Sequence, residues 1–539
     1  MPTAETETDE TPPDTGAEVA SETDDESTPS SRWDRFDTAI VLVAAIATVF
    51  VHPVHQMLSR PYWLDEAWVA ILAKVSWARL PGLSLTNPIG FAALIKLMPG
   101  SGLQRARLVV LGFSVLTVVA AYVLVRLLPW ATRSWARFSA VIGTVVVMLA
   151  PLSLGRNDLK QYTSDAFCAL VILAMAARVD RVAQPAPAWW LAIVSVAALP
   201  FSSTSVFVSA AAFAGLLGSA LIARARNRIV EVLVTGGATG VVLAGYFGAV
   251  VLPNTNAKLR AYWNTYYLTG TPWHMVHAAW NRLTDIVHPL GMPVVVFIAL
   301  FLVGVVVLLL IGARAVAVAV PVLWIEMAIV ARARRYPFLD LRTSHFLLVS
   351  SLVVVAVGVA GLLQLVLGWQ KIVGTIASIA VAALFLGSVR VHVDKLGIPF
   401  ETAREQTQYV AAHSTPSDVV LVNSSGTYGF AYYWPDGKVV AITDHSVGQG
   451  FRAQVAGLNA VYATGRTDAA VLDALRAAVA RWHAAPPGSR LYIVRSHVSA
   501  GEKTAWHRAF AQLGLHPRVI STGVEPLVVL DPPTSAPSG

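Results

Sequence analysis

Uncharged apolar runs long enough to cross a bilayer recur through most of this chain, and they restrict it to one class of fold. About eleven can be placed, near 37–57, 104–128, 138–155, 165–180, 188–203, 204–223, 229–252, 291–312, 314–331, 343–364 and 371–389. Each reaches or approaches the roughly 20 residues that span hydrocarbon as a helix. With 55% apolar and only 13% charged residues, the chain reads as a polytopic α-helical membrane protein.

Residues 1–31 differ: they carry ten acidic side chains, no Lys or Arg, and many Thr, Ser and Pro. Such a segment buries too little apolar surface to fold, so a disordered acidic cytoplasmic tail is expected. It lacks the basic start and small-residue cleavage site of a signal peptide, so the first apolar run is expected to stay as a span. Removing the tail's charge of −10 from the formal net of +8 leaves +18 on the rest, which suits contact with anionic headgroups or lipid phosphates. Nucleic acid is not expected as a partner, because no soluble basic module is present. The single cysteine, Cys168, sits in an apolar run and excludes an intramolecular disulfide.

The short turns 133–137, 178–181 and 224–228 are Arg-rich, as are the flanks at Arg32, Arg35, Arg314 and Lys371. The positive-inside rule assigns them to the cytoplasm together with the N-terminus. An odd number of spans then puts the C-terminal region outside, and about ten spans between Glu66 and Lys395 put the first outer loop on that same face. The rule is strained by Arg156, Lys160, Lys258, Arg260 and the cluster Arg332, Arg334, Arg335, Arg342, which would lie outside. Snorkelling to headgroups is one explanation; a bound anion explains a cluster better, since Arg forks and Lys ammonium groups supply charge-assisted hydrogen bonds.

The residues expected to form the membrane unit are 32–394, followed by a small extracytoplasmic α/β domain at 395–531 and a disordered Pro/Ser tail at 532–539. VVLVN (419–423), KVVAI (438–442), RLYIV (490–494) and PLVVL (526–530) read as short buried strands, with helical periodicity at 401–413, 469–484 and 502–513. No Gly-rich phosphate loop opens those helices, so no nucleotide cofactor is indicated.

Three outer segments carry the candidate chemistry. In RPYWLDEAW, Asp65 and Glu66 follow the first span among Tyr62, Trp63 and Trp68. Carboxylates at a membrane surface are costly and mark a functional site by default, and one of them can serve as general base towards a hydroxyl. The plainer reading is that one caps an interfacial helix. The apolar run after Asn87 is too short to span and is expected to lie in the headgroup plane.

The second segment, GRNDLKQYTSDAF, packs Arg156, Asp158, Lys160 and Tyr162 into a short turn. Lys160 suits a phosphate and Asp158 can orient it, unless the two simply satisfy each other in a solvated turn. In the third, ARARRYPFLDLR, Arg335, Tyr336 and Arg342 can hold a phosphate and stack on an isoprenoid or sugar, or anchor to headgroups. His274 and His277, three apart, share a helix face but lack a third ligand for zinc.

LDEAW after a single span, LTNPIGFAALIKL, LKQYTSDAF and RYPF with Arg342 together resemble actinobacterial membrane glycosyltransferases of the GT-C superfamily, in the family 39 group that includes protein O-mannosyltransferases and aminoarabinose transferases. The resemblance covers about residues 35–390. It implies a GT-C-like fold, a polyprenyl-phosphate-linked sugar as donor, and inverting transfer to an extracytoplasmic hydroxyl of a glycan, lipid or protein. Asp65 would be the base with Glu66 beside it, and Lys160 with the 335–342 arginines would hold the lipid phosphate. The family often has a Pro-Pro pair where Asn87 and Pro88 stand here, which bears on acceptor geometry. No cofactor is implied, and a divalent metal is left open. The alternative is a flippase or transporter of lipid-linked sugars, which calls for charges deep in several spans and for inverted repeats.

Overall fold

The computed structural model describes residues 33–369 and 401–532, apart from 85–86, 99–103, 182–185, 254–256, 436, 445 and 522–524. The acidic tail, the apolar run at 371–389 and the expected change of character at 394–395 lie outside these residues.

Every apolar run within the described residues contains a helix. Six helices are long and apolar enough to cross a membrane: Arg107–Leu127, Tyr162–Val179, Ser205–Ile222, Arg226–Val251, Arg314–Arg332 and His345–Val366. Pro272–Leu290 and Val294–Leu310 meet at 89° and together would count as a seventh. The bend falls at Gly291, which adopts φ 71°, just before Pro293, a combination that ends one helix and starts the next. Arg35–Val51 and Arg133–Leu149 have 17 residues each, roughly 25 Å at 1.5 Å per residue. Trp189–Ala198 has 10 residues and is too short to cross alone; Pro200 follows and offers no backbone donor to prolong it.

His345–Val366 is the central helix, 83% buried, whereas Arg226–Val251 is 17% buried and forms the apolar outer surface. Helices pack closely where glycine permits. A Cβ on Gly304 would stand 2.0 Å from the Val354 carbonyl oxygen, and one on Gly215 2.2 Å from that of Ala315. Those contacts join Val294–Leu310 to the central helix and Ser205–Ile222 to Arg314–Arg332, the close approach that small residues allow in lipid.

At one end of the bundle Asp34 caps Arg35–Val51, and buried Asp37 accepts from Tyr122 Oη at 2.7 Å, Arg126 Nε at 3.0 Å and Arg137 Nε at 3.3 Å. The other end carries two short helices, Leu64–Ala70 and Ile89–Lys96. The latter, too short to span as expected, buries Phe91, Ala92 and Ile95 against protein, and the Gly90 amide donates to the Pro200 carbonyl at 2.6 Å.

Over that same end sits an α/β unit. Its main sheet has the order β4-β1-β5-β7-β6, with β1 (Val419–Val422) parallel to β4 (Ala460–Tyr462) and β5 (Leu491–Val494), while β7 (Val528–Leu530) runs antiparallel to β5 and to β6 (Arg518–Val519). Helices Asp468–His483 and Ala500–Gln512 cover it around Trp506. β2 (Val439–Thr443) and β3 (Phe451–Val455) form a separate antiparallel ribbon. KVVAI, expected as a buried strand, is thus half-exposed, because its partner is a single strand instead of the sheet.

The unit shares one apolar core with the first loop. The Tyr62 amide donates to Tyr433 Oη at 2.7 Å, Arg404 to the Ser59 carbonyl at 3.0 Å, and Lys74 and Arg79 to the carbonyls of Tyr432 and Ala441. Asp65 and the α/β unit therefore lie at the same end of the bundle.

Candidate active site

Consecutive residues on a helix point about 100° apart, so Asp65 and Glu66 on Leu64–Ala70 diverge. Glu66 turns into the protein and is fully buried. Its Oε1 accepts from Arg107 Nε at 2.7 Å and the Leu159 amide at 2.8 Å, and its Oε2 accepts from Arg107 Nη2 and from the Trp63 amide at 3.3 Å. Arg107 spends its other donors on the carbonyls of Met57 at 2.8 Å, Arg60 at 2.7 Å and Pro61 at 3.1 Å. Its guanidinium also lies 4.9 Å from the Tyr62 ring centroid. Burial pushes Glu66 up and the Arg107 charge pulls it back; with every guanidinium donor matched, the pair is a closed structural node.

Asp65 turns the other way, into a cavity of about 580 Å³. Its Oδ2 lies 3.2 Å from Arg342 Nη1, and Arg342 Nη2 donates to Tyr262 Oη at 3.0 Å. Arg342 is aimed by its own turn: the Asp340 carboxylate accepts from the amides of Arg342 at 3.1 Å and Thr343 at 2.9 Å. Leu339 and Arg334 in that segment both hold φ 55°, left-handed backbone whose cost is tolerated where function needs the geometry. Tyr336 Oη donates to the Thr343 carbonyl at 2.9 Å and closes the loop. Lys160 also lines the cavity, its Nζ 3.9 Å from the ring centroid of Trp68 on the same helix as Asp65. Burial lowers its pKa to about 8, with the Asp65 charge opposing the fall.

Of the residues singled out in the sequence, Asp65, Lys160, Tyr162, Arg335, Tyr336 and Arg342 line this one cavity, although they come from three distant segments. Glu66, Arg156 and Asp158 do not. Glu66 performs the capping contact that was the plainer reading, and Arg156 stands behind the wall, 3.9 Å from Asp158. Lys160 and Asp158 do not pair through their side chains; only the Lys160 amide meets the Asp158 carbonyl, at 2.7 Å.

Sequence reasoning passed over Arg107, which reads as one more basic residue at a span's start. It noted Lys258 and Arg260 only as misplaced charges, and both line the cavity. It gave no role to the α/β unit, yet Ser424, Ser425, Thr464, Arg466 and His497 close the cavity from above. His274 Nδ1 meets Thr271 Oγ1 at 2.7 Å on an exposed helix end, and among the described residues no three His, Cys, Asp or Glu side chains converge as metal ligands.

No protein-family profile matches the chain, and no curated protein does. Among solved structures it is similar to the archaeal oligosaccharyltransferase AglB from Archaeoglobus fulgidus, in complex with an inhibitory peptide and a dolichol-phosphate, at 11% identity over 74% of this chain and 64% of that one, TM-score 0.49. It is also similar to ArnT from Cupriavidus metallidurans bound to undecaprenyl phosphate, at 14% identity over 92% of this chain and 97% of that one, TM-score 0.49. The chain spans 64% of the length of the first of these.

Proposed function

We propose that this chain is a GT-C-type membrane glycosyltransferase that moves a sugar from a polyprenyl-phosphate donor to an acceptor hydroxyl with inversion. The observation that carries this is a carboxylate, Asp65, held in a water-accessible cavity beside five basic side chains of the helical wall: Lys160, Lys258, Arg260, Arg335 and Arg342. Transfer of this kind needs a base on one side of the anomeric carbon and positive charge on the other. In the proposed step, Asp65 takes the acceptor O–H proton as the acceptor oxygen bonds the anomeric carbon. The bond from that carbon to the phosphate oxygen breaks, and the phosphate leaves with the electron pair onto Arg342 and Lys160. Arg342 stands where both events meet, 3.2 Å from Asp65.

Two further features support a lipid-linked donor. Arg260 and Arg335 also line two adjoining spaces of about 470 and 60 Å³, and the smaller has Phe207, Phe247 and Leu252 in its wall. The smaller space thus sets apolar side chains of the exposed Arg226–Val251 helix beside the basic cluster, on the side where a lipid tail would lie. Orientation follows from the same charges. Tyr162–Val179 and Ser205–Ile222 start by the cavity and end at the Arg-rich turns, so the positive-inside rule puts the cavity and the α/β unit on the extracytoplasmic side. A transporter would spread its charges along a path through the spans. Here the charged lining gathers at one end, while Glu326, within the Arg314–Arg332 helix, has no partner for its Oε2 among the described residues.

The test is Asp65→Asn in purified protein supplied with a polyprenyl-phosphate sugar, followed by chromatography of donor and product. Transfer should fall roughly 10²-fold or more, as for a removed general base, while titrated donor still binds. Turnover close to that of the unmodified protein would sink the assignment of the base. Envelope glycans and polyprenyl-phosphate sugars from a strain lacking the protein would then name the sugar.

A further inference from the structure

The cavity has two unlike walls. The helical wall is basic, as described. The upper wall is built from the carboxyl ends of the parallel strands of the α/β unit: Ser424 and Ser425 after β1, Thr464 and Gly465 after β4, and His497 after β5. The chain leaves β1 to reach β4 on one side and then crosses to β5 on the other. Beside β1 the strand order therefore reverses, and in sheets of this kind ligands sit outside the carboxyl ends at such a point. Asn423 ties that rim together, its Oδ1 accepting from the amides of Gly426 at 2.9 Å and Ser496 at 3.0 Å and its Nδ2 donating to the Ser496 carbonyl at 2.9 Å. His497 holds left-handed backbone, φ 55°, and its ring lies 6.0 Å from that of Trp63 across the seam.

Most charges on this wall are matched, the exception being exposed Arg466. Arg452 Nε pairs with Asp444 at 2.5 Å, His497 Nδ1 with Glu401 at 2.8 Å, and Arg466 lies 3.8 Å from Glu502. Apart from Arg466, the groups left over are uncharged. Ser425 is 4% exposed, lines the cavity, and its Oγ has no hydrogen-bond partner among the described residues. The indole Nε1 atoms of Trp63 and Trp68, in the same lining, have none either. A buried donor without a partner is costly to the free protein and is repaid by a ligand that supplies one. Indole rings, hydroxyls and little free charge together suit a ring with apolar C–H faces and many hydroxyl groups.

We infer that the β1/β4/β5 rim, with Trp63 and Ser425, is a subsite for a neutral carbohydrate and that this carbohydrate is the acceptor. The inference rests on the transferase reading only for the word acceptor; the sugar site stands on the wall itself. A sugar against Ser425 and Trp63 shares a cavity with Asp65.

The test uses the full chain in lipid nanodiscs and saturation-transfer NMR with methyl glycosides of mannose, galactose and arabinose, against a short Ser/Thr peptide. The unmodified protein should saturate at least one glycoside and not the peptide. Ser425→Ala should weaken that glycoside about fivefold to tenfold, the loss of one ordinary hydrogen bond. Thr464→Trp, at an exposed position that fills the cavity, should abolish it. Titration with polyprenyl phosphate is run in parallel. Glycosides that bind the Thr464→Trp protein as well as the unmodified one, or a peptide that binds in their place, overturn the site. Thr464→Trp losing donor lipid while keeping glycoside also overturns it. Unmodified protein that binds glycoside but no polyprenyl phosphate overturns the transferase reading and leaves the sugar subsite standing.

Discussion

Asp65 and Glu66 are neighbours in the chain and belong to opposite kinds of region. Behind the cavity, Glu66 and Arg107 exclude water and use every hydrogen-bonding atom on each other and on nearby backbone. At the far end of the bundle, buried Asp37 is likewise held by Tyr122 and Arg126, with Arg137 joining from a half-buried position. In the cavity, Asp65 and Arg342 meet at one 3.2 Å contact, with side chains 25% and 22% exposed, and leave lone pairs and N–H groups facing open space. The same residue types thus serve as scaffold where they are saturated, and under the proposed function as chemistry where they are not.

The contrast is most exposed to test at Arg107. Arg107→Ala strands a buried carboxylate, so stability should drop by about 3–5 kcal/mol, read as a lowered Tm in detergent and reduced yield. A variant that melts with the unmodified protein would show that Glu66 is not the scaffold described. At Arg342 the expected effect is smaller and of another kind. Arg342→Ala removes a charge-assisted contact of roughly 1.5–3 kcal/mol, raising the apparent donor KM about ten- to a hundredfold with little change in Tm. Arg342→Lys should not restore it fully, because an ammonium lacks the fork. Headgroup anchoring predicts the reverse, with Lys substituting freely and donor affinity flat.

The smallest effect concerns Lys160, and its two readouts run in opposite directions. Because its pKa is lowered from 10.5 to about 8, the protonated form is the one the folded state disfavours. That cost is complete below pH 8 and disappears towards 10.5, so Tm gains a rising contribution across that interval. Donor affinity needs the charge and should fall above pH 8, by at most about tenfold per pH unit. Lys160→Met should flatten both profiles. Donor affinity independent of pH from 7 to 9.5 in the unmodified protein would remove Lys160 from the phosphate site.

Much of the fold was legible in local pattern. Each apolar run among the described residues contains a helix, and VVLVN, RLYIV and PLVVL are strands as read, whereas the 16-residue helix Pro272–Val287 lies outside the runs. Trp189–Ala198 was overextended because hydropathy alone does not register Pro200 as a stop. β3, β4 and β6 went unread because FRAQV, AVY and RV are too short or too polar to carry a period of two. Among residues lining the cavity, those flanked by aromatic and basic neighbours within a few positions, such as Asp65 and Arg342, were singled out in the sequence. Ser425 could not, since nothing in NSSGT distinguishes a cavity wall from an ordinary turn.

Local composition decided that this chain enters a membrane, where its helices run and that an acidic pair stands at the surface, because hydration of apolar and charged groups depends on residue type within a short window. Tertiary structure decided which carboxylate faces the cavity, because helical rotation separates neighbours and Arg107, 41 residues away, captures one of them. It also decided that a sheet rim some 360 residues from Asp65 closes the same space, since contacts between distant segments depend on packing that no short window contains.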